Sequence, residues 1–184
     1  MKLTQLLSLF VLVVLLALSV GMTSIQPNET SYVCSPCGYD CDKEEYTKSG
    51  KCSHCGMDLV LKSSVNFQNV TPDQLCDITN NNPKVILLDV RTPEEFSGKA
   101  KENFGRLKGA INIPIQELDK RIGELNKYKS SEIIVYCSHN HRSPRASYLL
   151  TQNGFKNVKN MSGGMSVWNE SVKRTPCLTS LLVK

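Results

Sequence analysis

The sequence predicts an α/β domain with a parallel sheet flanked by helices, preceded by a small cysteine-rich module. From residue 65 onward, short apolar runs alternate with amphipathic segments, and this alternation is typical of a parallel sheet with helices on both faces. Before residue 65, five of the eight cysteines crowd into 22 residues. The chain of 184 residues has room for about one domain and a small appendage.

The charge of the chain bears on possible partners. The formal net charge is only +5, and no run of five or more basic residues occurs. A nucleic-acid binder normally carries a basic patch or stripe. We therefore expect no nucleic-acid partner.

The first 22 residues have a different character. A lysine at position 2 precedes fifteen residues, Leu6 to Val20, that are apolar except for two serines. This pattern predicts an export signal over residues 1–22. Small residues at Ser19 and Gly21 suit cleavage, although an uncleaved membrane anchor stays open because the run approaches the length that spans a bilayer. Either way, we expect the remainder to be exported to the periplasm or the extracellular space.

The cysteine-rich segment covers residues 32–62 and has little apolar area of its own. It contains two CxxCG units, CSPCG and CSHCG, with fourteen residues between Cys37 and Cys52. Two such turns predict a tetrahedral four-sulfur site for structural zinc, with ligands Cys34, Cys37, Cys52 and Cys55. A softer ion such as copper(I) that recruits Cys41 or Met57, or disulfides, remain as alternatives. The segment also resembles the heavy-metal-binding segment that accompanies bacterial metal-efflux proteins, but its first cysteine unit departs from that pattern, so copper transport is not implied.

The elements of the second module, residues 65–174, follow in order. VNFQNV predicts a strand, and TPDQLCDITNNN a helix capped by Thr71 with Pro72 at its first position. KVILLDV is a continuous apolar run that predicts a strand buried on both faces. TPEEF predicts a second helix start and GAINIP a short strand. IQELDKRIGELNKY has apolar residues at helical spacing, SEIIVYC is a second buried strand, SPRASYLLTQNGF a helix that Gly154 ends, and NVKNMSGG a strand with a glycine turn.

Ligands of such sheets bind beyond the carboxyl ends of the strands, and CSHNHR follows one of those ends. The loop leads from Cys137 into a helix that begins near Ser143 and Pro144. Unpaired amide groups and the positive end of the helix dipole therefore favour an anion inside the loop. A cysteine there is a candidate nucleophile, with Asp89 and Arg91 expected to brace the loop from the neighbouring strand end.

Four ordered motifs then reveal a family resemblance. LLDVRTPEEF, LKGAINIP, IVYCSHNHRS and NMSGGMSVW together resemble the rhodanese domain over about 105 residues. The resemblance implies a sulfurtransferase in which Cys137 takes sulfane sulfur from an anionic donor, such as thiosulfate or a persulfide, and passes it to a thiol or cyanide-like acceptor. It also implies no organic cofactor.

The expected roles of the loop follow from this resemblance. The amide groups of Ser138 to Arg142 would stabilise the charge on Cys137, and Arg142 with His139 and His141 would orient the donor. Related phosphatases have five residues between cysteine and arginine, whereas this chain has four. The tighter loop favours sulfur over phosphate. Asn140 stands where glycine is common, and asparagine is among the residues that best accept a left-handed backbone.

Other interpretations of these cysteines remain open. Cys137 can be an inert buried thiol, or it can bind copper or zinc with His139 and His141. The latter would make the chain a metal-handling or interaction protein that uses the fold as a scaffold. Cys76 is expected in the core of an amphipathic helix, and Cys177 has no assigned role.

Overall fold

The computed structural model describes residues 30–171 and 175–184. The predicted export signal over residues 1–22 lies outside the described residues, as do residues 172–174 at the end of the predicted second module. Within the described part, no helix has both the length and the apolar character needed to cross a bilayer.

The cysteine-rich module, residues 32–62, is built around a small antiparallel sheet. Its strands are β1 (Tyr32–Cys34), β2 (Glu45–Tyr46) and β3 (Leu59–Leu61), in the order β2-β1-β3. A 3₁₀ turn, Asp40–Lys43, lies between the first two strands. We call this module the ribbon. Its interior contains a cluster of four buried cysteines: Cys34, Cys37, Cys41 and Cys52.

A five-stranded parallel sheet forms the second module. Its strands are β4 (Gln68–Val70), β5 (Ile86–Asp89), β7 (Ile111–Asn112), β8 (Glu132–Tyr136) and β9 (Asn157–Met161). Their order is β4-β9-β8-β5-β7, and every pairing is parallel. The two strands that the sequence predicted as buried, β5 and β8, lie next to each other inside the sheet. The predicted α/β class is confirmed.

Helices cover both faces of this sheet. They are α1 (Pro72–Asn81), α2 (Pro93–Phe96), α3 (Ile115–Arg121), α4 (Ser143–Gln152), α5 (Gly164–Ser171) and α6 (Pro176–Leu181). Successive residues of β8 alternate between the two faces, as the pleat requires. Ile133 and Val135 pack in the cluster that contains Leu118 of α3 and Leu150 of α4. Ile134 and Tyr136 pack in the other cluster, with residues of α1, α5 and α6.

The helix boundaries follow the predicted signals with one exception. Thr71 and Thr92 each begin a helix with a complete capping box and a proline in the first turn, and Gly154 follows α4 in the left-handed conformation. The predicted helix IQELDKRIGELNKY is α-helical only to Arg121 and continues as a 3₁₀ helix, Ile122–Tyr128. A glycine at position 123 weakens the α-helix at this point.

The C-terminal segment is fastened to the domain. Its strand β10 (Leu182–Val183) pairs with β6 (Arg106–Leu107) in a separate two-stranded sheet. Cys177, at the start of α6, forms a disulfide with Cys76 of α1. Cys76 is buried, as expected, but it is not an inert core thiol, and Cys177 gains a role that the sequence did not assign. The two cysteines meet because α1 and α6 pack side by side on the same face of the sheet.

Candidate active site

Cys137 lies directly after β8, at the carboxyl end of a central strand. Residues 138–142 form the loop, and α4 begins at Ser143. The Cys137 side chain is enclosed, with only 1% of the residue exposed. Its Sγ lies 3.4 Å from the hydroxyl Oγ of the buried Ser143, a hydrogen-bonding contact at the start of α4. The thiol therefore lies beside the N-terminal end of this ten-residue helix.

The amino end of α5 fixes the start of the loop. Met165 N–H donates to the Cys137 carbonyl at 2.8 Å, and Ser166 N–H donates to the Ser138 carbonyl at 3.0 Å. A β-carbon at Gly164 would lie 2.5 Å from the Cys137 carbonyl oxygen, so only glycine permits this approach. Because N–H and C=O of a trans peptide point in opposite directions, the amide groups of Ser138 and His139 point away from α5.

Asn140 turns the middle of the loop. Its φ of 66° is the only positive φ among the described non-glycine residues, so the expectation that asparagine accepts the left-handed conformation here is confirmed. Asn160 of β9 holds it, because Asn160 Nδ2 donates to Asn140 Oδ1 at 2.8 Å. The same Nδ2 donates to Asn69 Oδ1 of β4 at 2.8 Å. The edge strand β4 and its neighbour β9 thus set the position of the loop's turning point.

The amide groups of the loop remain available to a ligand. Among the described residues, none of the five N–H groups from Ser138 to Arg142 donates a hydrogen bond to another protein group. Ser138 is buried, whereas His139 and His141 are exposed, and a buried backbone donor is seldom left without a partner. A loop with several such donors at a helix amino end suits an anion, as the sequence predicted.

The Arg142 side chain is held by Glu95, a residue that the sequence analysis missed. Arg142 Nη1 and Nη2 donate to the two carboxylate oxygens of Glu95 at 2.6 and 2.7 Å, and Ser138 Oγ donates to Glu95 Oε1 at 2.6 Å. Burial alone would raise the pKa of Glu95, but hydrogen bonds from Arg142 and Ser138 outweigh burial and lower it to about 2. The capping box of α2 positions this carboxylate: Glu95 Oε2 accepts from Thr92 N–H at 2.9 Å.

The sequence contained a signal for Glu95. TPEEF has threonine at the N-cap and glutamate three positions later, the pattern of a capping box. That pattern places Glu95 at the start of α2, but only the folded chain brings α2 beside the Cys137 loop. Arg142 is thus a bidentate partner of a carboxylate, and its predicted contact with a donor stays a prediction.

Asp89 and Arg91 form a completely buried ion pair. Arg91 Nη2 lies 2.6 Å from Asp89 Oδ2 and also donates to the Gly105 carbonyl at 2.8 Å. The Arg91 guanidinium lies 5.7 Å from the ring centre of Tyr136, the residue before Cys137. Within the described residues, neither side chain bonds to residues 138–142. Asp89 and Arg91 therefore stabilise the carboxyl end of β5, beneath the loop, and make no direct bond to the loop itself.

Each histidine of the loop faces an aromatic ring. His141 stacks on Tyr39 of the ribbon, with ring centres 4.2 Å apart, and His139 meets Phe104 edge-on at 5.3 Å. Two groups of side chains in the described residues have metal-ligand geometry, and neither contains Cys137 or a histidine. This arrangement does not favour the metal site of Cys137, His139 and His141 that the sequence left open.

The ribbon cysteines form a cluster that can hold a metal ion. Ligand atoms of Cys34, Cys41, Cys52 and Cys55 all lie within 4.8 Å of one another. A zinc–sulfur distance of about 2.3 Å implies sulfur–sulfur edges of about 3.8 Å in a tetrahedron. Cys34 Sγ and Cys55 Sγ are 3.3 Å apart, so small adjustments complete such a site. A second possible group combines Cys34, Cys37 and Cys41 with Asp42.

The four-sulfur group differs from the predicted ligand set at one position. The sequence predicted Cys34, Cys37, Cys52 and Cys55, whereas the structure brings Cys41 into the place of Cys37. The 3₁₀ turn carries Cys41 inward, and Asp42 draws Cys37 aside: Asp42 Oδ1 lies 3.0 Å from Cys37 Sγ, and Oδ2 accepts from Cys37 N–H at 3.0 Å. CxxC spacing alone could not reveal this competition.

The thiols of the cluster have different acidities. Burial raises the pKa of Cys34 and Cys41, because it disfavours the thiolate. Hydrogen bonds from the Cys55 backbone amide, and to a smaller extent from the His54 amide, lower the pKa of Cys52 to about 6. A bound cation would compensate the burial of several thiolates.

Comparison with known proteins is consistent with this architecture. The family model "Rhodanese-like domain" matches residues 71–171. The uncharacterized YqhL protein of Bacillus subtilis is 37% identical over 90 residues, which cover 49% of this chain and 65% of YqhL. The chain thus spans slightly less than two thirds of that relative. Thiosulfate sulfurtransferase PspE of Escherichia coli is 31% identical over 47% of this chain and 77% of PspE. The crystal structure of reduced CoADR-RHD from Bacillus anthracis is 28% identical with a TM-score of 0.50, and the match covers 64% of this chain and 18% of that one.

Proposed function

Because this chain belongs to the family of rhodanese-like domains, we propose that it is a sulfurtransferase that carries sulfane sulfur on Cys137. A sulfur-transfer role is supported by relatives named as thiosulfate sulfurtransferases, such as PspE. The observation that carries the proposal is the position of Cys137. Its thiol sits at a central strand end, against a helix amino end, within a loop whose amide groups are available to an anion.

The reaction has two steps. In the first, the Cys137 thiolate attacks the outer sulfur of thiosulfate; the sulfur–sulfur bond of the donor breaks, and sulfite leaves with the electron pair. In the second, a thiolate or cyanide acceptor attacks the outer sulfur of the Cys137 persulfide, and the Cys137 thiolate leaves. No external oxidant or reductant is needed, because each step forms one bond to the sulfane sulfur and breaks another, and the leaving group takes the electron pair of the broken bond.

The loop supplies the electrostatics of both steps. The N–H groups of residues 138–142 would stabilise the thiolate and the persulfide anion, which carry the negative charge before and after the first step. Arg142 and the two histidines would orient the donor. Since Glu95 already pairs with Arg142, its carboxylate would compete with an anionic donor and keep the site from binding that donor too tightly.

The ribbon would hold a structural zinc ion. Its ligands are Cys34, Cys52 and Cys55, with Cys41 as the fourth thiolate in place of Cys37. When bound, zinc supplies the positive charge that balances several buried thiolates. The ribbon has almost no apolar interior besides its cysteines, and modules of this size usually need a metal or disulfides to fold.

We also propose that the mature chain works outside the cytoplasm. The apolar segment at its N-terminus is the pattern of an export signal. The Cys76–Cys177 disulfide fits this location, because disulfides persist in oxidising compartments. Edman sequencing of the protein secreted from its host would identify the mature N-terminus.

A direct experiment tests the transfer chemistry. The purified chain is incubated with thiosulfate, and the peptide that contains Cys137 is examined by mass spectrometry. The wild type should gain one sulfur, about 32 Da, on Cys137, and Cys137→Ser should gain none. The Cys76→Ala/Cys177→Ala variant, which retains Cys137, should gain the same mass as the wild type. If the wild type gains no mass from thiosulfate or from a low-molecular-weight persulfide, the sulfurtransferase proposal is wrong.

A further inference from the structure

The ribbon lies directly on the Cys137 loop. Gly38, at the end of the first CxxCG unit, has a φ of +77°, and a β-carbon there would lie 1.8 Å from the carbonyl oxygen of Asn140. The two backbones are therefore in contact at the turning point of the loop, and any side chain at position 38 would push them apart.

Tyr39 extends this contact over the next loop residue. Its ring stacks on His141 at 4.2 Å with an angle of 20° between the ring planes. Tyr39 is 57% exposed, so one face of its ring is open to solvent while the other has a partner. Here that partner is a residue of the candidate active site.

The ribbon backbone is held in this position from within. The carboxylate of Asp42 accepts from the Gly38 N–H at 2.7 Å and from the Cys37 N–H at 3.0 Å. These bonds fix the Gly38 peptide that faces Asn140. The same turn contains Cys41, a member of the four-sulfur cluster.

A second attachment lies where the ribbon joins the domain. Gln152 Nε2, at the end of α4, donates to the Ser64 carbonyl at 2.9 Å, and the hydroxyls of Ser64 and Tyr148 lie 3.3 Å apart. Contacts at both ends of α4 thus hold the ribbon. Gly38 and Tyr39 contact the loop that precedes α4, and Ser64, in the segment that follows the ribbon, contacts the C-terminal end of α4.

From this geometry we infer that Gly38 and Tyr39 form a cap that limits the size of the molecules that reach Cys137. This inference rests on the proposed function and adds a specificity determinant to it. With the cap in place, the almost fully enclosed thiol exchanges sulfur with small donors and acceptors such as thiosulfate and low-molecular-weight thiols. Bulky or protein-borne thiols reach the sulfur only when the Tyr39–His141 stack opens.

The experiment measures access to Cys137 separately from sulfur transfer. The zinc-loaded full-length chain is alkylated either with iodoacetamide or with a maleimide that carries a bulky fluorophore. Mass spectrometry of the Cys137 peptide gives each rate, so that labelling of ribbon cysteines does not interfere. The measured quantity is the rate of Cys137 alkylation by the bulky maleimide divided by the rate of its alkylation by iodoacetamide. This ratio is compared between variants.

The stack predicts how this ratio changes. An aromatic pair shifts an equilibrium by up to about tenfold, so Tyr39→Ala should raise the ratio by up to about tenfold. Tyr39→Phe keeps a ring against His141 and should match the wild type. Tyr32→Ala is the matched control, because Tyr32 lies in β1 of the same ribbon, paired with Tyr46 and Leu61, and should also leave the ratio unchanged.

Two results would disprove the inference that Gly38 and Tyr39 limit access to Cys137. One is a ratio that Tyr39→Ala does not change; the other is an equal rise with Tyr32→Ala, which would mean that the ribbon was loosened in general. Both are distinct from failure of the proposed function, because alkylation requires no sulfur transfer. A chain that gains no sulfur from thiosulfate can still show or lack size selection at Cys137.

Discussion

The ribbon and the domain behind it achieve burial by different means. In the domain, two clusters of aliphatic and aromatic side chains pack on the faces of the parallel sheet, and Trp168 and Leu88 are completely enclosed. In the ribbon, the packed interior cluster consists of four cysteines, with Met57 and Leu59 only partly buried around them. The domain can therefore fold through removal of apolar surface from water, whereas the ribbon depends on the chemistry of its sulfur atoms.

The two regions meet at the loop of Cys137. The domain supplies the strand end, the helix and the amide groups, and the ribbon supplies Gly38 and Tyr39. The ribbon, which is stabilised by its cysteine cluster, thus lies against the loop of Cys137, the residue proposed to carry sulfane sulfur. The following predictions test how independent these two regions are.

Removal of the proposed zinc ion should have the largest effect. Structural zinc contributes about 10 kcal/mol or more to the folding of small zinc modules, so a chelator should unfold the ribbon while the domain remains folded. Hydrogen exchange should show loss of protection in residues 32–62. Fluorescence of Trp168, the chain's only tryptophan, should not change. If the chelator changed the Trp168 fluorescence together with the loss of protection in residues 32–62, the domain would be unable to fold without the ribbon.

The zinc content of two cysteine variants decides between the two proposed ligand sets. If Cys41 is the fourth ligand, Cys41→Ser should lose zinc, and Cys37→Ser should retain it because Cys37 pairs with Asp42. Zinc content measured by mass spectrometry under native conditions reads out both variants. The opposite result would restore the set predicted from CxxC spacing.

Loss of the disulfide should have the next largest effect. Cys76 and Cys177 are separated by 101 positions, and a cross-link over that distance stabilises by about 4 to 5 kcal/mol in the chain-entropy model. Cys76→Ala/Cys177→Ala should therefore lower the denaturant midpoint of the Trp168 transition. A reductant should lower the wild-type midpoint to the same value and leave the variant unchanged. A midpoint that does not depend on reductant in the wild type would exclude the bond from the folded protein in solution.

A core substitution should separate the regions further. Leu88 lies in the middle of the sheet with no exposed surface, and Leu88→Ala should cost about 3 to 4 kcal/mol of unfolding free energy. Leu61 of the ribbon is 42% exposed, and Leu61→Ala should cost less than about 0.5 kcal/mol. Chemical denaturation followed by Trp168 fluorescence gives the cost of Leu88→Ala in the domain. Because Trp168 does not report the ribbon, hydrogen exchange of residues 32–62 gives the cost of Leu61→Ala. Similar costs for the two leucines would contradict the contrast between the regions.

The local structure of the domain could be predicted from the sequence because its signals act over short distances. Thr71 and Thr92 begin helices through hydrogen bonds to residues three positions away, and the apolar runs of β5 and β8 mark buried strands on their own. The left-handed turn at Asn140 also depends on a local property of asparagine.

The features that escaped prediction depend on residues far apart in the chain. Cys76 and Cys177 meet only after two helices pack on one face of the sheet. Glu95 reaches Arg142 across 47 positions, and Gly38 reaches Asn140 only when the ribbon lies on the loop. Within the ribbon, a carboxylate of Asp42 competes for Cys37, and cysteine spacing contains no information about such a competitor.

Substitution of Glu95 should have a smaller effect than loss of zinc, of the disulfide or of the Leu88 side chain, and it is the change most specific to the active site. The Glu95 pKa of about 2 in the folded chain lies below the usual value of 4.5, so the ionised form stabilises the fold at neutral pH. This contribution is present above about pH 4.5 and is lost as the pH falls toward 2. Glu95→Gln should therefore cost about 2 kcal/mol at pH 7, with the difference from wild type shrinking below pH 4.5.

The matched control for Glu95 is its neighbour. Glu94→Gln removes the same charge from the exposed side of α2, away from Arg142, and should change stability little at any pH. Because Glu95→Gln also frees Arg142, it should strengthen thiosulfate binding, seen as a lower KM in sulfur transfer, and Glu94→Gln should not. Urea unfolding at pH 7 and pH 3 with thiosulfate kinetics checks both expectations. An unchanged KM in Glu95→Gln would mean that Arg142 does not meet the donor, and that the loop amides alone orient it.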